Sequence, residues 1–250
     1  MKHLLCCLGL ALLLGACSDD DDDTVAGRLN APSVVMGNGK ANAWLDRDAQ
    51  GNPTALGFTL TKGALDQLPP TVPATEFMLA IPDEAVASTP FQHIMLDWNP
   101  QGHEPPGVYD VPHFDFHFYM MPMAEVMQIP PYPVNPAGFD KSPAPAYLPA
   151  GYVKNPGGVP AMGAHWSDPT SPEFRGQPFT ETFVYGSYNG HVTFIEPMVA
   201  LSYLKTSPNI DKEIKQPAQY EKPGYFPTRY SIHTHANGSI DIALTQFVKR

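Results

Sequence analysis

Polar and apolar residues alternate most regularly over residues 113–121. Successive side chains on a strand point to opposite faces, so His113, Asp115 and His117 would share one side and Phe114, Phe116 and Phe118 the other. Shorter runs predict strands over residues 41–45 and 55–60, flanking the polar turn 46–53. Others fall over 77–81 and 91–98, bounded by proline and aspartate. Residues 179–188 and 191–196 meet at Asn189-Gly190, and residues 230–235 and 239–247 meet at Asn237-Gly238. This dipeptide is the strongest short hairpin signal. Helical patterning is brief, over residues 63–68, 124–128 and 198–205, and there is no internal repeat. The pattern predicts a mainly β fold: a single antiparallel β-barrel or sandwich domain over residues 34–250, with a few short helices.

Proline modifies that picture. The chain has 29 prolines, densest over residues 129–161, where Pro130-Pro131-Tyr132-Pro133 and Pro143-Ala144-Pro145 fall. Proline has no amide donor and disfavours helix before it, so an irregular excursion is expected. Tyr132, Phe139, Tyr147 and Tyr152 are more aromatic surface than a disordered linker carries. The excursion is therefore expected to be an ordered loop packed on the domain.

The start of the chain follows another rule. Met1-Lys2-His3 is a short positive start, followed by an apolar run of 11 residues over 4–14. Spanning a bilayer takes about 20 apolar residues, so the run predicts a signal peptide over residues 1–16. It ends in Leu14-Gly15-Ala16-Cys17, which resembles the bacterial lipobox. That resemblance implies cleavage before Cys17 and acylation of its sulfur and its new amino group, an anchor of several chains. Ser18 after the cysteine resembles signals that let lipoproteins continue to the outer membrane. The five aspartates over 19–23 resemble a surface-export signal, and equally suit a solvated spacer within a tether over residues 17–33. The expected location is the cell envelope, on the outer membrane, facing periplasm or surface, with the membrane as partner through the lipid.

Charge and cysteine content narrow the rest. Without Lys2 the chain carries 14 basic against 25 acidic residues, a net charge of −11, and nucleic acid is excluded as a partner by repulsion. Cys6 and Cys7 leave with the signal and Cys17 carries lipid, so the mature domain has no thiol for a disulfide, a thiolate metal site or a nucleophile. About 220 residues are enough for an ordinary core without such staples.

The polar side of residues 113–117 is the candidate site. Neighbours at i and i+2 lie about 6.6 Å apart, within reach of one ion at ~2.1 Å from each ligand atom. His113 and His117 lie about 13 Å apart and do not suit one ion on a regular strand. Further ligands must come from elsewhere: His165, after the glycine turn Met162-Gly163-Ala164, and Glu196, at a strand end before Pro197. Two histidines and one or two carboxylates suit a divalent metal, whether zinc, iron or manganese. The same face reads alternatively as hydrogen-bonded strand histidines in a non-catalytic binding or assembly module, or as part of a small-molecule pocket walled by tyrosine and tryptophan. His103-Glu104 sits in a Pro-Pro loop and reads as surface. His191, His233 and His235 read as hairpin ends, and Glu196 could cap a helix starting near Met198. No serine elbow, phosphate loop, His-Glu-x-x-His helix or dinucleotide fingerprint is present.

The strings Pro112-His113-Phe114-Asp115-Phe116-His117-Phe118-Tyr119, Met162-Gly163-Ala164-His165-Trp166, Thr182-Phe183-Val184-Tyr185-Gly186-Ser187-Tyr188 and Glu196-Pro197-Met198 together resemble a family of secreted bacterial proteins of unknown function. Gly51-Asn52-Pro53-Thr54-Ala55-Leu56-Gly57 resembles it too, so the likeness spans most of residues 34–205. It implies a shared β-rich domain and gives these histidines weight. It implies no reaction, substrate or oligomeric state.

Overall fold

The structure is a computed structural model that describes residues 26–70 and 74–250. The expected signal peptide, Cys17 and the acidic run lie outside the described residues. Among the described residues, no helix is long and apolar enough to cross a membrane.

Turn chemistry sets the strands. Asp48 accepts hydrogen bonds from the amides of Gln50 and Asn52, closing the turn between β3 (Gly39–Arg47) and β4 (Pro53–Leu60). Asn189 and Gly190, at φ 53 and 85, make the tight turn between β10 (Glu181–Tyr188) and β11 (His191–Ala200). The remaining strands are β1 (Gly27–Asn30), β2 (Val34–Met36), β5 (Thr75–Ala80), β6 (His93–Asn99), β7 (His113–Tyr119), β8 (Val153–Lys154) and β9 (Ala164–Ser167), with β12 (Asn209–Glu213), β13 (Tyr225–Thr234) and β14 (Ile240–Lys249) closing the chain.

They form two seven-stranded antiparallel sheets. The first runs β1-β3-β4-β14-β13-β12, with β2 also on β3; the second runs β5-β6-β7-β11-β10-β9-β8. Neither closes on itself, so the fold is a sandwich rather than a barrel. β1 lies inside the stretch expected to be tether, yet residues 27–30 pair with residues 44–47 of β3.

The core lies between the sheets. Phe58, Leu45, Leu56, Ile242 and Leu244 of the first meet Phe114, Phe116, Phe118, Ile94, Leu96 and Val199 of the second. Phe58 packs edge-on to Phe116 with ring centroids 4.9 Å apart. Helices are few and short: Asp83–Ser88, Met123–Val126, Pro136–Asp140 and Leu201–Leu204. The helix expected over 63–68 is a series of turns. The one expected over 198–205 starts only at Leu201, because β11 continues through Ala200. Glu196 is thus mid-strand and caps nothing. The proline-rich excursion lies against the second sheet: Phe139 is buried edge-on to Tyr188, and the Tyr152 hydroxyl donates to the Phe183 carbonyl.

Candidate metal centre

β7 lies between β6 and β11, hydrogen-bonded to both. Its phenylalanines enter the core, and its opposite face carries His113, Asp115, His117 and Tyr119 away from the first sheet. That outer face is buried. Tyr109, Phe179, Val184 and Met198 pack over one end, and Met95, Val126, Phe194 and Tyr119 over the other. Polar groups thus stand in a dry strip between two apolar clusters: His113 and His117 are 0% exposed, Asp97 and Glu196 1%.

The five residues expected at the site do not gather at one point. They divide into two groups, each with its ligand atoms within 4.8 Å of one another. His113 and Asp115 meet His103; His117 meets His165 and Glu196. The long separation of His113 from His117 along the strand is what sends them to different groups.

In the first group, His113 Nε2 is 3.1 Å from Asp115 Oδ1, and His103 Nε2 is 3.1 Å from Asp115 Oδ2. Asn99 donates to the same Oδ2 at 2.8 Å. His103 was expected at the surface. Its loop instead folds over the sheet, turned by Gly102 at φ 72, and its ring lies edge-on to His113 at 4.6 Å. Its side chain remains 41% exposed and forms the solvent side of the group.

In the second group, His117 Nε2 is 3.4 Å and His165 Nε2 3.7 Å from Glu196 Oε2. His117 Nδ1 is 3.1 Å from Asp97 Oδ2. Two backbone features open room here. Pro197 has no amide to give, and the β7–β11 pairing skips from Ile195 to Met198, beside Glu196. Gly186 stands opposite His165, and a Cβ there would lie 2.1 Å from the Phe194 ring. The bare backbone lets that ring lie flat, and His117 and His165 pack on it at 4.7 and 5.2 Å. Sequence reasoning missed Asp97 and His93. Their signal was a charged and an imidazole side chain bracketing the apolar Ile94-Met95-Leu96.

Imidazole orientation is well defined in the first group. His113 Nδ1 lies 2.7 Å from the Val111 carbonyl and His103 Nδ1 2.7 Å from the Glu104 carbonyl. A carbonyl only accepts, so both Nδ1 atoms carry hydrogen and both Nε2 atoms turn to the carboxylate. His113 Nε2 and Asp115 Oδ1 are close but out of line for a hydrogen bond, as are His117 Nε2 and Glu196 Oε2. All four atoms are buried without a hydrogen-bond partner. Two atoms each ~2.1 Å from one ion stand about 3.0 Å apart at a right angle and about 3.4 Å apart at the tetrahedral angle. The separations in both groups lie at or near that range.

Burial and mutual charge shift the acidities in both groups. Burial would lower His117, but Glu196, Asp97 and Asp115 around it outweigh burial and raise it to about 9. His103 is likewise raised to about 9, as Asp115 overcomes burial. Asp115, despite burial, is held well below the carboxylate range by His113 and His103. Glu196 is pushed up to about 8, chiefly by burial. His165 is driven down to about 3 by burial and by positive His117, and His93 to about 4 for the same reasons.

Residues 48–98 match the family described as TTHB210-like: Hypothetical protein TTHB210. The matched segment holds β4 and β5 and reaches through Trp98 of β6, so it contains His93 and Asp97 but neither group's ligand atoms. The description carries no activity. No curated protein matches the chain, and no solved structure does.

The other sequence-expected histidines behave as surface groups. His191 pairs with Glu221, and His233 and His235 lie at the β13–β14 turn beside Asn209 and Asp241.

Proposed function

We propose that this protein is an envelope lipoprotein that binds divalent metal on the outer face of its second sheet, one ion in each histidine–carboxylate group. The carrying observation is the meeting of His113 Nε2 with Asp115 Oδ1. The two atoms are buried, 3.1 Å apart and off the hydrogen-bond line, and a proton or a cation between them is what would make that approach favourable. The carbonyls behind His113 and His103 are the supports that metal-bound imidazoles ordinarily have, and the Asp97 carboxylate lies 3.1 Å behind His117 Nδ1, off the hydrogen-bond line. Nitrogen and carboxylate ligands without thiolate suit zinc, iron or manganese. Three protein ligands per group leave a coordination position for water or a substrate oxygen, which a bound cation would polarise.

Elemental mass spectrometry on the domain from Thr24 onward tests this reading, since both sheets lie wholly within those residues. The expected result is two equivalents of metal, falling by one in His113→Ala and by one in His117→Ala. Metal-free protein that melts at the same temperature with and without chelator would overturn it, and would favour a purely structural histidine face. The membrane, reached through acylated Cys17, is the proposed partner, with the domain on the outer membrane and nucleic acid disfavoured by the net charge of −11 that remains without Lys2.

A further inference from the structure

A cavity of about 440 Å³ lies on the side of β10 and β11 away from the metal face. Tyr185 and Ile195 line it from the second sheet, Phe226 from the first, Ile214 from just past the end of β12, and Met120 and Met121 from the turn after β7. Tyr185 and Ile195 belong to the core side of their sheet, whereas Glu196, next in the chain, faces the metal groups. One strand thus separates two different sites.

The space is partly open to solvent, and its size falls within the range of small-molecule sites. Its polar groups do not call for an ionic ligand, because they are already engaged with one another. The Gln216 amide nitrogen donates to the carbonyls of Ile214 and Pro227 at 2.8 and 3.3 Å, and its oxygen accepts from the Tyr220 hydroxyl at 2.6 Å. Glu221 accepts from the Val192 amide at 2.9 Å and pairs with His191 at 2.7 Å. Lys222 and Glu125 are exposed at the solvent side with opposite charge, so the entrance selects no sign. Gln92 differs: its amide nitrogen makes one long contact, 3.4 Å to the Phe91 carbonyl. Sulfur and aromatic surfaces from Met120, Met121, Tyr185 and Phe226 favour a flat or branched apolar body.

We propose that this inter-sheet cavity binds a neutral, mainly apolar small molecule carrying one hydrogen-bonding group, which Gln92 meets. The site does not depend on the metal reading, since it uses the other side of β11.

The test uses N-phenyl-1-naphthylamine, a neutral aromatic probe with one N–H, titrated into the domain from Thr24 onward. Saturable fluorescence enhancement at one probe per chain is expected. Methyl chemical shifts should change at Met120, Met121, Ile195 and Ile214 and stay fixed at exposed Met127. Ile214→Trp should fill the space and weaken binding at least tenfold, and Gln92→Leu should weaken it severalfold with melting unchanged. Adding a metal chelator should leave the probe affinity as it was, whatever it does to metal content. Absence of saturable binding, or shifts confined to methyls outside the cavity, would overturn the proposal even where a variant failed to fold.

Discussion

Asp97 and His117 stand diagonally across β6 and β7, with Asp97 Oδ2 3.1 Å from His117 Nδ1 and both side chains buried. The contact is off the hydrogen-bond line, but the charge of the carboxylate behind the ring favours a proton on Nδ1 while Nε2 faces Glu196, which makes the imidazole a more basic ligand. Asp97→Asn should therefore weaken metal binding at the His117 group by roughly 10–100-fold. The His103 group should keep its ion. A competitive chelator titration resolves the two steps, and an equal loss from both would contradict the division into two groups.

Acidity gives a second expectation. His103 and His117 are held at about 9 in the metal-free protein, so below that pH an incoming ion must displace protons from them. Apparent affinity should rise with pH between about 6.5 and 9. The same raised values favour the folded state fully below the unfolded histidine value of about 6.5 and lose that contribution as pH climbs to 9. Glu196, raised to about 8, acts in the same direction as it ionises. Metal-free protein should melt several degrees lower at pH 9 than at pH 6.5, and metal-loaded protein should show a smaller change. Calorimetry on the two forms checks the sign.

The two faces of β7 should separate by mutation. Phe116 is fully buried against Phe58, and Phe116→Ala should cost about 3–5 kcal/mol of stability while leaving two metal equivalents in the folded fraction. His113→Ala should do the reverse: one of the two metal equivalents is lost, and the core-facing aromatic signals in near-ultraviolet circular dichroism persist.

Gly186 offers a test of the scaffold beneath the ligands. Gly186→Ala puts a methyl group 2.1–2.3 Å from three Phe194 ring atoms, so the ring must tilt and carry the packing of His117 and His165 with it. Stability and metal affinity at the second group should both fall, the affinity at least tenfold. An unaltered affinity would show that Phe194 does not position those imidazoles.

Membrane attachment has its own readout. Cys17→Ala should abolish fatty-acid labelling and release the domain from the membrane fraction, with the fold unchanged as judged by circular dichroism. Continued labelling would remove the anchor from the reading.

Much of the fold was legible because strand periodicity and Asn-Gly turns are local signals. The β10–β11 hairpin and the two faces of β7 needed only neighbouring residues to be seen. The choice of sandwich over barrel was not local, since it depends on β5, β8, β1 and β12 ending as free edges. The site was legible in its residue types and not in its grouping. His103 looked like surface because proline and glycine surround it, and only the return of its loop over β7 brings it to Asp115. Glu196 looked like a strand end because proline follows it, yet Pro197 sits inside a central strand. Asp97 was hidden within an apolar run, since nothing nearby in sequence says that its partner is on the next strand.

β7 also constrains how this protein can vary. Its rings and its ligands occupy alternate positions of one strand, so an inserted or deleted residue between His113 and Tyr119 would transpose them. Charge would enter the interior, and benzyl groups would line the two proposed metal positions. A point substitution there touches one face, whereas a change in length within that segment would disturb the core and both proposed metal positions together.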